Sequence, residues 1–125
     1  MMRVLVDTHV LVWWASWSAR VREDWIPVLT NSENQIFVSA VTAIEIETKR
    51  RRGKLDFDDN VADIVDRFGF GALPISMAHA SLAGSLDWEH RDPFDRILVA
   101  QAMREDLVLL SADAAMKSAP GVRVL

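Results

Sequence analysis

The stretch Val4-Leu5-Val6-Asp7-Thr8 decides the fold class of this chain. Three consecutive apolar residues are typical of a strand that is buried on both faces, as in a parallel sheet. An acid and a hydroxyl residue follow, and Thr8 is the predicted N-cap of a helix over residues 8 to 15. A buried strand that passes straight into a helix is typical of α/β proteins.

The alternation of strand and helix continues along the chain. Further strands are predicted at residues 35–39, within 69–75, at 107–110 and, as a candidate only, at 122–125. Further helices are predicted at residues 19–31, 39–52, 58–68, 76–86 and 92–104, the last beginning at the favourable pair Asp92-Pro93. We therefore expect one domain, residues 1–125, with a three-layer α/β/α sandwich fold around a mostly parallel sheet.

The composition excludes several classes of site. Hydrophobic residues make up 50% of the chain and charged residues 26%, which is ordinary for a soluble globular protein. There is no cysteine, so disulfides, thiolate zinc sites and cysteine nucleophiles are excluded. No stretch approaches about 18 consecutive apolar residues, and the first residues do not resemble a signal peptide. We therefore expect a cytoplasmic protein that does not span a membrane.

The net charge of −4 argues, taken alone, against nucleic-acid binding. However, five of the 14 lysines and arginines lie within the six positions from Lys49 to Lys54. This basic run has two interpretations. It contacts the phosphates of a nucleic acid, or it is a solvated helix end that the helix dipole stabilises.

Four acidic residues lie where an apolar segment meets polar sequence, namely Asp7, Glu45, Asp95 and Asp113. Ligands of α/β proteins bind beyond the carboxyl ends of the parallel strands, so residues this far apart in sequence can meet at one edge of the sheet. Carboxylates brought together repel one another unless a cation lies between them. The pattern therefore predicts a site for Mg²⁺ or Mn²⁺.

Two of these acids also have a purely structural explanation. Asp7 precedes a helix N-terminus, where the helix dipole favours negative charge. Glu45 can form an ion pair with Lys49, four residues later on the same helix. Glu45 is expected at the edge of a buried stripe formed by Val41, Ile44 and Thr48.

The other two acids are similarly ambiguous. Asp92 is the predicted N-cap of its helix, and Asp95 occupies the partner position of a capping box. A carboxylate one turn inside a helix can also bind a metal, and Arg96 is a candidate to orient it or to bind phosphate. Ser111 either orients water or phosphate beside Asp113 or caps a short helix over residues 112–117.

The histidines and tryptophans carry weaker signals. His9, His79 and His90 share no metal-ligand spacing, so a zinc site is not predicted. We interpret His90 as a loop feature in preference to a phosphate contact. Most of the early tryptophans are expected in the core, but their density predicts an apolar patch that a partner covers; they are Trp13, Trp14, Trp17 and Trp25.

Four motifs together resemble PIN-domain proteins and, more narrowly, VapC-type toxins of bacterial toxin–antitoxin modules. They are Leu5-Val6-Asp7-Thr8-His9-Val10-Leu11-Val12-Trp13, Ser39-Ala40-Val41-Thr42-Ala43-Ile44-Glu45-Ile46, His90-Arg91-Asp92-Pro93-Phe94-Asp95-Arg96 with Ala100-Gln101-Ala102, and Ser111-Ala112-Asp113. The resemblance covers nearly the whole chain in the family's order and spacing. Residues 86–89 depart from the Leu-Pro-like approach that is common before the third motif.

The resemblance implies a Mg²⁺- or Mn²⁺-dependent endoribonuclease that stops growth by cleaving RNA, forms a homodimer and is held inactive by a cognate antitoxin. The family's acidic quartet, which holds the metal that activates the attacking water, maps onto Asp7, Glu45, Asp95 and Asp113. Ser111 stands where the family often has threonine. Candidate substrate contacts, or supports of the metal ligands, are Ser111, Arg96, Asp92 and Thr8.

Two other classes of function compete with this one. A phosphotransfer domain of the haloacid-dehalogenase type needs Asp-x-Asp after the first strand, but His9 occupies the second position. A receiver-like domain needs paired acids early in the chain and a lysine late in it. The only late lysine is Lys117, which lies outside any predicted strand. A non-catalytic module with the same fold is the other alternative, although the presence of all four acids argues against it.

Overall fold

Four parallel strands form the centre of the computed structural model, which describes residues 1–125. The strands are β1 (Arg3–Val6), β2 (Gln35–Ser39), β3 (Gly71–Leu73) and β4 (Val108–Leu110). Their order across the sheet is β3-β2-β1-β4, and every pairing is parallel. Leu5 in β1 lies opposite Phe37 in β2 and Leu109 in β4.

Helices cover both faces of this sheet, as the α/β/α prediction requires. They are α1 (Thr8–Ala15), α2 (Ile26–Thr30), α3 (Ala40–Arg51), α4 (Val61–Phe68), α5 (Met77–Ser85) and α6 (Pro93–Glu105). Short 3₁₀ helices span Glu23–Trp25 and Ala114–Ser118. None of these helices combines the length and the apolar character that crossing a bilayer requires.

The central strand β1 is buried on both faces, as its run of apolar residues predicts. Val4 and Val6 belong to a core cluster with residues of α1, α2, α3 and α4. Leu5, which points to the opposite face, belongs to a second cluster that includes three residues of α6 and Leu109 of β4. The sheet therefore has one hydrophobic core on each side, and its carboxyl edge is left for polar side chains.

The prediction that Thr8 is the N-cap of α1 was wrong by one residue. Asp7 is the N-cap of α1, because its backbone is still extended and its Oδ1 accepts a hydrogen bond of 2.7 Å from the Thr8 N–H. Thr8 is buried instead, with its hydroxyl 3.0 Å from the hydroxyl of Thr42 in α3. This contact ties α1 to α3 beside the carboxyl edge of the sheet.

Two predicted helices are shorter in the structure. Residues 19–22 are not helical, and α2 begins only at Ile26. Pro27 lies in its first turn, where the N–H that proline lacks would have no partner within the helix. The helix predicted from residue 58 begins at Val61, capped by Asn60. Arg50 donates hydrogen bonds to the carbonyls of Phe57 and Asp59, and these bonds hold that segment outside the helix.

The candidate strand at residues 122–125 forms only a single bridge, between Leu109 and Val124. Two backbone hydrogen bonds still join this segment to Leu109 of β4, including one of 2.8 Å from the Leu125 N–H to the Leu109 carbonyl, and a third comes from the Ser111 N–H just after the strand. The segment therefore covers the edge of β4, and an exposed strand edge is a liability for unwanted pairing.

Candidate metal centre

The carboxyl edge of the sheet holds all four predicted acids around one cavity of about 230 Å³. Asp7 directly follows β1, and Asp113 lies three residues after β4. Glu45 comes from α3, which follows β2, and Asp95 from the first turn of α6. The parallel topology brings these side chains to one cavity although they span more than a hundred residues of sequence. Asp95 and Asp113 belong to the group whose ligand atoms lie within 4.8 Å of one another, and Asp7 and Glu45 do not.

Asp7 is almost completely buried and has a partner for each carboxylate oxygen. Oδ1 accepts from the Thr8 N–H, and Oδ2 accepts from the Ser111 hydroxyl at 2.6 Å. Burial raises the pKa of Asp7 above its ordinary value, the bonds from Ser111 and Thr8 lower it, and the Glu45 charge raises it further. A positive charge in the cavity would stabilise the ionised form of Asp7.

Asp95 points away from the N-cap of its own helix and toward His90. Its Oδ2 lies 2.6 Å from His90 Nε2, so the predicted capping box with Asp92 does not form, although Asp92 does cap α6. Burial raises the pKa of Asp95 to about 6, the His90 bond opposes this, and the charges of Asp92 and Asp7 add to it. A cation in the cavity would therefore stabilise the ionised form of Asp95 and lower its pKa.

His90 is the site residue that we did not predict as a ligand from the sequence. The ligand atoms of His90, Asp95 and Asp113 all lie within 4.8 Å of one another, which is close enough to share one metal ion. The Trp88 ring packs against the imidazole, with ring centroids 4.8 Å apart. Its position two residues before the N-cap of α6 was the only sequence signal, and it does not reveal which way the ring points.

Glu45 lies inside a buried stripe of α3 and not at its edge. The stripe is Val41, Thr42, Glu45 and Ile46, whereas Ile44, which we predicted to be buried, is 50% exposed. At about 100° per residue, Ile44 falls on the opposite flank of the helix. The ion pair with Lys49 does form, with Nζ 2.8 Å from Glu45 Oε2, and both side chains border the cavity.

Asp113, and not Ser111, caps the last 3₁₀ helix. Asp113 Oδ1 accepts from the Ala115 N–H at 2.9 Å, and the helix begins at Ala114. The Ser111 hydroxyl is buried, donates to Asp7 and accepts from the Asp113 N–H at 3.1 Å. Ser111 therefore orients the Asp7 carboxylate and holds the backbone at Asp113, whose own side chain borders the cavity and is exposed.

The Arg96 guanidinium is used mainly within the fold, and its predicted contact with a phosphate stays a prediction. Its guanidinium donates hydrogen bonds of 2.8–2.9 Å to four backbone carbonyls, those of Ala83, Leu86, Trp88 and His90. These bonds hold the loop before α6 and so fix the position of His90. A larger cavity of about 760 Å³ lies against this loop, but none of the four acids lines it.

The basic residues from Lys49 to Lys54, at the end of α3, make different contacts. Lys49 and Arg52 line the acidic cavity together with Asp92 and His9. Arg50 donates to the Phe57 and Asp59 carbonyls and forms an ion pair with Glu47, with Nη1 2.7 Å from Oε1. The exposed members of the run that do not line the cavity are Arg51 and Lys54.

The donor set fits a hard divalent cation. Carboxylate oxygens are the ligands that Mg²⁺ and Mn²⁺ prefer. Burial raises the pKa of both Asp7 and Asp95, which means that the cavity destabilises their negative charge. One positive group, the Lys49 ammonium, already binds Glu45 there.

The tryptophans also surround a second, apolar feature. Trp25 is core, but Trp17 is 90% exposed and lies at the rim of a groove of about 450 Å³. The groove is lined by Trp14, Trp17, Ser18, Val21, Ile26, Thr30 and Phe68. We refer to these seven residues as the tryptophan groove; the predicted apolar patch is present, while its covering by a partner stays a prediction.

Comparison with known proteins relates the fold to a family. The family profile described as PIN domain matches residues 4–122. No curated protein matches the chain significantly in sequence. Among solved structures, VapBC2 from Rickettsia felis bound to a promoter DNA fragment has a chain with TM-score 0.70 and 16% identity, covering 99% of this chain and 98% of that one.

Two further structures have the same fold. DNA-bound VapBC from Salmonella typhimurium gives TM-score 0.69 at 16% identity, covering 100% of this chain and 98% of that one. A toxin–antitoxin complex from Klebsiella pneumoniae gives TM-score 0.63 at 21% identity, with coverages of 98% and 95%. At these identities the likeness extends to the fold alone.

Proposed function

Because the chain belongs to the PIN domain family, whose members are generally nucleases, we propose that it is a Mg²⁺- or Mn²⁺-dependent endoribonuclease that acts as the toxin of a toxin–antitoxin module. The observation that carries this proposal is the single cavity bordered by Asp7, Glu45, Asp95 and Asp113. The family argues against the phosphotransfer alternative, and the complete set of acids argues against a non-catalytic module.

The four acids would hold the metal, and the remaining residues of the cavity would place the RNA. A bound Mg²⁺ or Mn²⁺ would lower the pKa of a water and would neutralise negative charge on the phosphate. Ser111 and the Thr8 N–H orient Asp7 in a fixed direction, and His90 orients Asp95. Lys49 and Arg52 provide positive charge for the RNA backbone on the α3 side of the cavity.

Cleavage of RNA by the purified chain tests this proposal directly. We expect a long single-stranded RNA of mixed sequence to be cut with Mn²⁺ or Mg²⁺ and to remain intact with EDTA. Asp7→Asn keeps the shape of the side chain and removes a ligand charge, so we expect at least about a hundredfold loss of rate. Asp66→Asn, at an exposed acid of α4, is the matched control and should cleave like the wild type.

A folded Asp7→Asn variant that cuts RNA at the wild-type rate would contradict the assignment of the cavity. Cleavage that persists in EDTA would contradict metal dependence. Equal cleavage of single-stranded DNA of the same sequence would retain the nuclease and reject the restriction to RNA.

We also propose a cognate antitoxin as the partner that covers the tryptophan groove. The groove is a contiguous apolar surface with the 90% exposed Trp17 at its rim, and such surfaces mark sites of protein–protein contact. One of the structures with this fold is described as a toxin–antitoxin complex. The proposed activity on cellular RNA places the protein in the cytoplasm, where the antitoxin would hold it inactive.

Co-purification with the product of the adjacent open reading frame tests the partner. We expect a stable complex that does not cleave RNA, and we expect Trp17→Ser to weaken it while leaving RNA cleavage by the free protein intact. A complex that Trp17→Ser does not weaken would place the antitoxin elsewhere. The family resemblance also predicts a homodimer, which light scattering of the free protein would detect by its mass.

A further inference from the structure

Lys49 belongs to an exposed basic run, but its ammonium contacts two residues of the acidic cavity. Its Nζ lies 2.8 Å from Glu45 Oε2 and 3.4 Å from His9 Nε2, and both partners line the acidic cavity. The spacing of four residues along α3 builds the contact with Glu45 into the helix. The ammonium therefore lies within the candidate metal centre.

The Lys49–Glu45 pair differs from an ordinary surface ion pair in its burial and in the charges around it. The Glu45 side chain is only 12% exposed, so its charge is poorly solvated without a partner. The lining of the cavity holds five carboxylates and two permanent cations, Lys49 and Arg52. Lys49 is the cation that directly contacts one of the four candidate metal ligands.

We propose that Lys49 is an internal counter-cation of Glu45 that competes with the divalent metal and then binds a phosphate of the RNA. Without metal, the ammonium neutralises Glu45 and keeps the buried carboxylate in place. Once Glu45 is drawn into metal coordination, the ammonium is released at the mouth of the same cavity. This inference rests on the proposed function and adds a metal-sensitive substrate contact to it.

If Lys49 competes with the metal, removing it should change the Mn²⁺ affinity in the opposite direction from the change expected if Lys49 only supports Glu45. Removing the ammonium frees Glu45 and removes a positive charge that repels the metal. Lys49→Met should therefore bind Mn²⁺ more tightly, by about three- to tenfold for the loss of one nearby charge. If Lys49 only held Glu45 in the orientation needed for coordination, the same variant would bind Mn²⁺ more weakly.

The RNA contact predicts the opposite change for the substrate. At saturating Mn²⁺, Lys49→Met should raise the KM for single-stranded RNA by about three- to tenfold, because one phosphate contact is lost. The dependence of log KM on log salt should fall by about 0.7 for one contact to single-stranded nucleic acid. Lys49→Arg keeps the charge and should retain most of the RNA affinity.

The experiment combines Mn²⁺ titration of the protein alone, followed by electron paramagnetic resonance, with initial-rate kinetics on RNA. Lys54→Met is the matched control, since it removes the same charge from an exposed residue of the same run that does not line the cavity. We expect Lys54→Met to change both quantities by less than about twofold. Thermal unfolding of each variant establishes that it is folded.

Tighter Mn²⁺ binding together with a higher KM in Lys49→Met supports the inference. Unchanged or weaker Mn²⁺ binding overturns the competition, and an unchanged KM overturns the phosphate contact. A wild-type protein that binds no Mn²⁺ or cuts no RNA means that the proposed function itself has failed. The wild-type arm therefore separates the two failures.

Discussion

Two histidine–carboxylate pairs of the same chemistry lie in different regions of this molecule. His90 Nε2 is 2.6 Å from Asp95 at the acidic cavity, and His79 Nε2 is 2.9 Å from Glu105 where α5 packs on α6. His79 also completes a capping box, because its Nδ1 accepts from the Ser76 N–H at 3.0 Å. The difference between the pairs lies in their neighbours and not in the pair itself.

The neighbours decide what each pair can do. Asp95 lies near the charges of Asp92 and Asp7, and burial raises its pKa to about 6. Glu105 is partly exposed at the end of α6, and its pair with His79 joins two helices. We therefore expect the His90–Asp95 pair to serve the chemistry and the His79–Glu105 pair to serve stability.

The largest expected effect separates the two carboxylates. Asp95→Asn should lower the rate of RNA cleavage at saturating enzyme by at least about a hundredfold, since a ligand charge is lost from the centre. Glu105→Gln should leave that rate within about twofold, because its side chain does not line the cavity. Equal losses in the two variants would mean that the two pairs are not functionally distinct.

The next effect separates the two histidines. His90→Ala should weaken Mn²⁺ binding by about tenfold, as expected when a group that orients a metal ligand is removed. His79→Ala should instead lower the free energy of unfolding by about 1–3 kcal/mol, because a buried cap and a helix–helix bond are lost. Urea unfolding and Mn²⁺ titration of both variants measure this crossed pattern.

A His79→Ala protein with weakened Mn²⁺ affinity would break the comparison, because it would couple the α5–α6 contact to the site. A His90→Ala protein with normal Mn²⁺ affinity would show that Asp95 needs no support from the imidazole. Ser85→Ala, at an exposed hydroxyl of α5, is the control for both measurements.

The sheet was predictable because its signals are local. Val4-Leu5-Val6 is apolar without alternation, and that pattern directly reports burial on both faces. The convergence of Asp7 and Asp113 at one edge followed from parallel topology, which places all carboxyl ends together. Helix starts were predictable where a capping residue met proline, as at Asp92-Pro93.

The contacts of single side chains were not predictable in this way. The sequence suggests that Arg96 binds phosphate, but its guanidinium donates to four backbone carbonyls, in α5 and in the loop that follows it. The path of that loop depends on tertiary packing. His90 and His79 look alike in the sequence, and only the folded chain places one against Asp95 of the cavity and the other between helices. The burial of Ile44 was predicted wrongly because α3 has apolar residues on two flanks, and the sequence alone does not show which flank faces the core.

The smallest expected effect is a pH dependence of stability that belongs to the Asp95 side of the comparison. Its pKa is raised from 3.8 to about 6 in the folded protein, so between these values the folded state keeps a proton that the unfolded chain has lost. The free energy of unfolding that Asp95 contributes therefore falls as pH rises from about 4 to about 6 and stays lower above it.

Urea unfolding of the metal-free wild type and of Asp95→Asn, compared at several pH values, isolates this contribution. The stability of the wild type relative to Asp95→Asn should decrease between pH 4 and pH 7, whereas Glu105→Gln should show no comparable trend against the wild type. Saturating Mg²⁺ at pH 7 should restore the wild type and not Asp95→Asn, because the ion stabilises the charge that burial disfavours. A pH-independent difference between wild type and Asp95→Asn would mean that the cavity does not perturb Asp95, and the electrostatic reason for placing a cation there would be lost.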